Sequence, residues 1–333
     1  MKAIFFGECM LEYFEGKSQA HISKQHFGGD TLNTAIYFSR LINQGDNTVF
    51  YATGIGDDEE SRVLMNAWQS EGINTELVKV IAGKTLGRYY ITIDDKGERL
   101  FSYQRDDSAA KHYFHGVSSH EQLPSINALA DALTSGKIDY FYFSGITLAI
   151  FMSKECEQLF EMLAEFKHDG GQVIFDNNYR PLLWQSRDPR ALYDKAMKLA
   201  DIAFLTDEDE YSLYGGDSVS SIIERYQPLK NFNLLELVIK QGRKPCIIKP
   251  GNQQGTCQGI DPQALIYVAS NTIAPESIVD TTAAGDSFAA GYLAERIKGG
   301  AIKSAAKRAH QLAGQVIQHH GAIIGLDEMP DDR

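Results

Sequence analysis

The run Asp280-Thr281-Thr282-Ala283-Ala284-Gly285-Asp286-Ser287-Phe288-Ala289 sets three small residues immediately before a carboxylate. Beyond it, the spacing of Phe288, Tyr292, Leu293, Ala294 and Ile297, closed by Gly299-Gly300, predicts a helix over 284–298. Ala283, Ala284 and Gly285 then occupy the helix N-terminus. Unpaired N–H groups and the positive end of the helix dipole suit a phosphate or a developing anion there. Asp286, beside those donors, could take a proton from a hydroxyl while they steady a transferring phosphoryl group. The plainer alternative is a capped helix behind a small-residue turn.

Further motifs stand in a fixed order along the chain. Ile4-Phe5-Phe6-Gly7-Glu8-Cys9-Met10 opens it, and Phe27-Gly28-Gly29-Asp30-Thr31-Leu32-Asn33-Thr34-Ala35 follows. Phe175-Asp176-Asn177-Asn178-Tyr179-Arg180-Pro181 and Ile202-Ala203-Phe204-Leu205-Thr206 come before the run at 280–289. Together they resemble the ribokinase-like (PfkB) family of small-molecule kinases, over nearly the whole chain from Ile4 to Ala322. The resemblance implies one catalytic domain over 1–333 with a ribokinase-like α/β fold: three α/β/α layers, a mostly parallel sheet and a small β-sheet lid. It also implies ATP and Mg2+ as cofactors. A monovalent cation near Asp280 and Thr282 stays open. Within the family the motifs stand nearest to kinases that phosphorylate the C6 hydroxyl of 2-keto-3-deoxygluconate. A neutral-sugar kinase such as one for fructose, and a sugar-acid sensor without chemistry, are the alternatives.

The elements that must position these residues read as a single α/β unit. Strand-like runs at 3–6, 49–53, 140–144, 173–176, 202–205 and 235–239 alternate with helical patterns at 32–41, 60–71, 154–168, 189–199 and 218–226. Such alternation implies a mostly parallel sheet covered on both faces. Ligands of open sheets bind beyond the carboxyl ends of strands, and each motif follows one: Gly7-Glu8, Asn177-Asn178, Thr206 and Gly242. An aromatic-rich hairpin over 87–105 interrupts the pattern. A three-residue loop with a left-handed Gly97 sets Asp94 opposite Glu98, hence Tyr89 opposite Tyr103 and Gly87 opposite Arg105. Tyr89, Tyr103 and Arg105 then share a face. It is either an ordinary hairpin on the core or a lid over substrate, with residues near 12–27 supplying a further strand.

On the substrate side, Asp30 and Asn33 are three apart at a helix start and so on one side, and Gly28-Gly29 lets a ligand approach the backbone. A turn with Asp30 as N-cap is the alternative. A sugar acid's carboxylate matches the planar donor fork of arginine, whereas a neutral hexose needs none. Arg105 and Arg180 are the candidates by the resemblance, while Arg88, Arg99 and Arg187 read as solvated. On the nucleotide side the resemblance implies Asn178, Arg180, Lys240, Gly242, His310 and the turn Ala283-Ala284-Gly285. Pro245 stands where relatives often have a second glycine. The acidic group Asp207-Glu208-Asp209-Glu210 is either a solvated helix start or part of the metal's water network. No metal ligand is assigned, because the histidines lack further ligands at usable spacing.

Composition sets outer bounds. The 333 residues, 43% hydrophobic, can bury a large core, and the formal net charge of −12 argues against nucleic acid or an anionic membrane as partner. Four cysteines without CxxC spacing read as reduced thiols of the cytoplasm. No apolar run approaches membrane-spanning length. The exposed aromatic hairpin favours a homo-oligomer, a dimer or larger.

Overall fold

In the first strand, β1 (Lys2–Phe6), Ala3 and Phe5 point to one side and Ile4 and Phe6 to the other, and all are 1% exposed or less. A strand buried on both faces needs a layer on each side, which the computed structural model supplies. The structure describes residues 1–14, 26–42, 45–93, 99–115, 128–185, 187–226, 234–251 and 264–331.

The strands after β1 are β2 (Met10–Phe14), β3 (His26–Gly28), β4 (Thr48–Gly56), β5 (Ile73–Asn74), β6 (Val78–Ile81), β7 (Gly87–Ile93) and β8 (Arg99–Gln104). They continue as β9 (Tyr140–Ser144), β10 (Gln172–Asp176), β11 (Ile202–Thr206), β12 (Glu236–Lys240), β13 (Cys246–Pro250) and β14 (Ile266–Val268). The large sheet runs β14-β13-β12-β11-β10-β9-β1-β4-β5, with β6 on the far end of β4. It is parallel from β5 to β12 and turns antiparallel at β13 and β14.

The helices are α1 (Asp30–Ile42), α2 (Glu59–Ser70), α3 (Ala128–Thr134), α4 (Gly145–Ile150), α5 (Ser153–His168) and α6 (Pro181–Trp184), then α7 (Arg190–Leu199), α8 (Asp207–Tyr214), α9 (Val219–Arg225), α10 (Ala284–Ile297) and α11 (Ile302–Val316). One face of the sheet, with Phe5, Tyr142, Ile174, Phe204 and Val238, packs on α1, α10 and α11. The other, with Phe6, Phe141, Phe143, Val173 and Phe175, packs on α5 and α7. This is the expected three-layer α/β/α arrangement. No helix among the described residues is long and apolar enough to cross a membrane.

A separate four-stranded sheet, β3-β2-β7-β8, stands beside the first. Tyr89 pairs with Tyr103 in the expected hairpin register, although the loop at 94–98 lies outside the described residues. The further strand expected near 12–27 falls partly at 15–25, also outside them; β2 and β3 flank that stretch. On one face of this sheet Tyr13 and Tyr90 stack at 5.2 Å, and both Tyr13 and Arg88 bond to Glu60 of α2, at 2.8 and 2.6 Å. Arg88 is therefore an anchor and not a solvated residue. Arg187 departs from expectation likewise: it donates to the carbonyls of Phe151 and Ala149 and lies 4.9 Å over the Trp184 ring. The carbonyls at the end of α4 supply acceptors that a local reading of sequence does not see.

Candidate active site

A cavity of about 790 Å³ opens between the start of α1, the ends of β11 and β12 and the start of α10. Asp30, Asn33, Asn178, Arg180, Lys240 and Asp286 line it, as do Gly242, Ala283, Ala284, Gly285 and His310. These residues, from five parts of the sequence, thus meet where strands of the parallel sheet end, as its topology requires.

The turn before α10 is locally strained. Ala283 has φ +59°, a left-handed conformation uncommon for a residue with a β-carbon. Two contacts at its carbonyl hold it: Ser287 N–H and Ser287 Oγ donate to it at 2.9 and 2.7 Å. Before it, the Asp280 carboxylate accepts from Thr282 N–H, Thr282 Oγ1 and Gly321 N–H at 3.0, 2.7 and 3.1 Å, pinning the turn to the end of the chain. Ala284 N–H closes back on Thr281 O at 3.3 Å, a partner the expectation of three bare donors did not include. The first helical turn still leaves N–H groups without carbonyls four residues back.

Three carboxylates gather at this end of the sheet, each held by a different partner. Asn33 Nδ2 donates to Asp286 Oδ2 at 2.8 Å, Asn178 Nδ2 to Asp30 Oδ2 at 2.8 Å, and Lys240 Nζ to Asp176 Oδ2 at 2.7 Å. Burial, then the negative charge of Asp30, pushes the Asp286 carboxyl up to about 7, against the bond from Asn33 and the charge of Lys240. Asp30 is raised too, chiefly by burial. Asn178 reaches Asp30 from a backbone at φ +25°, a second strained non-glycine residue bordering the cavity. A carboxylate poised near neutrality beside helix N–H donors suits proton acceptance from an alcohol.

The small sheet approaches from the α1 side. Tyr89 is buried and donates to Glu12. Its hydroxyl lies 3.5 Å from where a β-carbon on Gly28 would sit, and Asn33 Oδ1 lies 3.7 Å from the same point. Gly29 is more confined: a β-carbon there would fall 2.2 Å from the Glu8 carbonyl oxygen, so glycine lets the start of α1 lie against the end of β1. Tyr103 faces Tyr89 at 6.1 Å between ring centroids and is 53% exposed. Gly28, Gly29, Tyr89, Tyr103 and Arg105 do not line the cavity. Arg105 is buried against Glu8, whose second oxygen accepts from Ser108 Oγ. Its guanidinium is thus occupied by a carboxylate of the chain itself, while its Nε is buried without a hydrogen-bond partner among the described residues. Arg180, by contrast, lines the cavity with an exposed side chain and reaches Asp209 Oδ1 at 3.5 Å.

At the far end, Gly242 turns the chain after Lys240 with φ +56°. His310 of α11 is buried edge-on to Phe288 at 5.1 Å with Nε2 at 3.2 Å from the Val268 carbonyl, and burial lowers its pKa, favouring the neutral ring. Along this part of α11, Ala309 and Leu312 belong to the core, whereas His310 and Ala313 line the cavity. The acidic group does start a helix, α8, but it is not simply solvated. Asp207 and Glu210 are buried, Glu210 accepting from Asn177 Nδ2 and Tyr226 OH at 3.2 and 3.0 Å. Asp209 accepts from Tyr179 N–H at 3.2 Å. Sequence reasoning did not single out Glu8 or Asp176 as site residues. Both stand at or just after a strand's carboxyl end, which was the available signal.

The chain is similar to known proteins over almost its whole length. The model of the pfkB family carbohydrate kinases matches residues 2–329. A 2-dehydro-3-deoxygluconokinase of Escherichia coli (strain K12) is 39% identical over 330 residues, 99% of each chain. Another from Dickeya dadantii (strain 3937) is 40% identical over 325 residues, 97% of each chain. A fructokinase from Xylella fastidiosa, solved with bound ATP, superposes with a TM-score of 0.76 at 20% identity, covering 99% of this chain and 95% of that one. The chain belongs to the pfkB family of carbohydrate kinases.

Proposed function

We propose that this protein transfers the γ-phosphoryl group of ATP to the C6 hydroxyl of 2-keto-3-deoxygluconate, giving the 6-phosphate. The observation that carries the reading is the 39–40% identity, over nearly full length, to kinases of that name. Asp286 at the head of α10, bordering one cavity with Asp30, Asn33 and Lys240, supports the chemistry. Asp286 takes the hydroxyl proton late, as the oxygen–phosphorus bond forms in a loose transition state. Asn33 holds that carboxylate, and the N–H groups of Ala283 and Gly285 serve the equatorial oxygens of the moving group, joined by that of Ala284 on leaving Thr281 O.

The residues fit a triphosphate. The Gly285 position has room up to Lys240 Nζ, Lys240 and Arg180 bring positive charge to the rim, and Gly242 and His310 border the adenosine end. Among the described residues no three His, Cys, Asp or Glu side chains could hold a metal ion together. That donor set fits Mg2+ carried mainly by phosphates and water, as this ion prefers, and the cavity-lining carboxylates Glu208 and Asp209 would bind that water. Bound there, Mg2+ neutralises charge on the phosphates. A monovalent cation near Asp280 and Thr282 belongs to the same proposal.

Gly28, Gly29, Asp30, Asn33, Tyr89 and Tyr103 form the sugar side, with the small sheet as a lid that excludes water on closure. Arg105 and Arg180 are its carboxylate-binding candidates. For Arg105, the buried Nε offers a donor beyond those engaged by Glu8. Exposed Tyr103 on edge strand β8 supports pairing of lids in a homo-oligomer, and the reaction belongs to the cytoplasm. ADP release, measured against a panel of sugar acids and neutral sugars, tests the reading. Turnover of 2-keto-3-deoxygluconate well above fructose is expected; preference for fructose would replace it.

A further inference from the structure

Asp176 closes β10 in the middle of the large sheet and is 2% exposed. Its Oδ2 accepts from Lys240 Nζ at 2.7 Å and from Tyr142 OH at 3.3 Å, and Tyr142 in turn accepts from Thr34 Oγ1 of α1 at 3.4 Å. Its Oδ1 is buried with no hydrogen-bond partner among the described residues. Lys240 closes β12, two strands away, and reaches Asp176 across β11, its ammonium 5.9 Å from the Phe204 ring centroid. A β-carbon on Gly285 would lie 3.4 Å from Nζ, so the ammonium sits directly beside the first turn of α10. Lys240 borders the cavity, whereas Asp176 lies behind it.

A buried carboxylate with one oxygen unpaired is a poor device for stability, because its desolvation opposes what the ion pair contributes. Its geometric effect is specific. A free lysine on this rim would spread over many rotamers, and the bond to Asp176 restricts it to the one beneath Gly285. We propose that Asp176 is a positioning residue for phosphoryl transfer: it fixes the Lys240 ammonium against the N-terminal turn of α10, where that charge meets the γ-phosphoryl group as it moves. The inference rests on the kinase reading above, and deepens it by naming a residue that acts through another.

The test is a double-mutant cycle of Asp176→Asn, Lys240→Met and the pair, read by ADP release with whichever sugar of the panel the wild type phosphorylates. An error about the sugar therefore leaves the test standing; a wild type that phosphorylates none of them overturns both readings. Lys240→Met should lower kcat about a hundredfold, the usual loss for one donor aimed at transition-state charge. Asp176→Asn should lower kcat at least tenfold with the KM for the sugar within threefold, and the double variant should equal Lys240→Met within threefold. Asp176→Asn with kcat near wild type, or a double variant tenfold worse than Lys240→Met, overturns the positioning role. If Asp176→Asn does not fold, the comparison of the double variant, which leaves neither charge unpaired, with Lys240→Met decides alone.

Discussion

Asn33 and Asp286, 253 positions apart, meet at 2.8 Å through an amide donor and a carboxylate acceptor. The bond brings the first turn of α1 against the first turn of α10, joining two walls of the cavity. Because Asn33 Nδ2 is a neutral donor, it orients the carboxylate without a full opposing charge, and Asp286 keeps its raised proton affinity.

Replacing Asp286 by Asn should remove the base and leave the shape. We expect kcat to fall at least about a hundredfold, with KM for ATP and for the keto acid within about threefold. Steady-state ADP release checks this. Turnover near wild type would take Asp286 out of the base role.

The same carboxyl makes both rate and stability depend on pH. With a value near 7 in the folded protein, kcat/KM should fall as pH drops below about 7, approaching tenfold per unit. The stability effect has the opposite sign. An unfolded Asp titrates near 4, so between about 4 and 7 the folded state binds the extra proton. That stabilisation is complete below about 4 and is lost as pH rises through about 7. Asp286→Asn should therefore raise Tm more at pH 8 than at pH 5, by about 2 °C or more. Melts at the two pH values with an equal change would remove the burial-driven shift.

Arg105→Ala separates substrate from cofactor. It should raise KM for the keto acid at least about tenfold while KM for ATP stays within about twofold, because a carboxylate loses a charge-assisted donor. It also leaves Glu8 buried without its cation, a loss of about 3–5 kcal/mol that a thermal melt should register. Equal rises in both KM values would count against a role at the sugar's carboxylate.

The paired glycines should respond differently. A β-carbon at Gly29 would collide with the backbone oxygen of Glu8, so Gly29→Ala should cost about 1–3 kcal/mol or more and displace the start of α1. At Gly28 its nearest neighbours are at 3.5 Å or beyond, so Gly28→Ala should fold normally but raise KM for the sugar. Similar melting temperatures for the two variants would contradict this close approach.

Much of this was legible before any coordinates. Polar, small-residue and aromatic periodicities are local, so the helix at 284–297 and the Tyr89–Tyr103 register could be read from neighbours a few positions away. The string at 280–289 marked the head of α10 for the same reason. What stayed hidden are charges whose partners come from remote parts of the chain. Arg88 with Glu60, Arg105 with Glu8 and Asp176 with Lys240 join residues 28, 97 and 64 positions apart, and no local pattern announces such a pair. Arg187 was misread as solvated because its acceptors are backbone carbonyls, which have no letter in a sequence.

The packing of α1 against α10 has a consequence during synthesis. Asn33 of α1 leaves the ribosome 253 positions ahead of Asp286 at the head of α10. A product interrupted before residue 284 lacks both Asp286, the base of the proposed reaction, and the first turn of α10. Such a fragment would be catalytically silent, and could not drain the cell's nucleotide pool by idle hydrolysis.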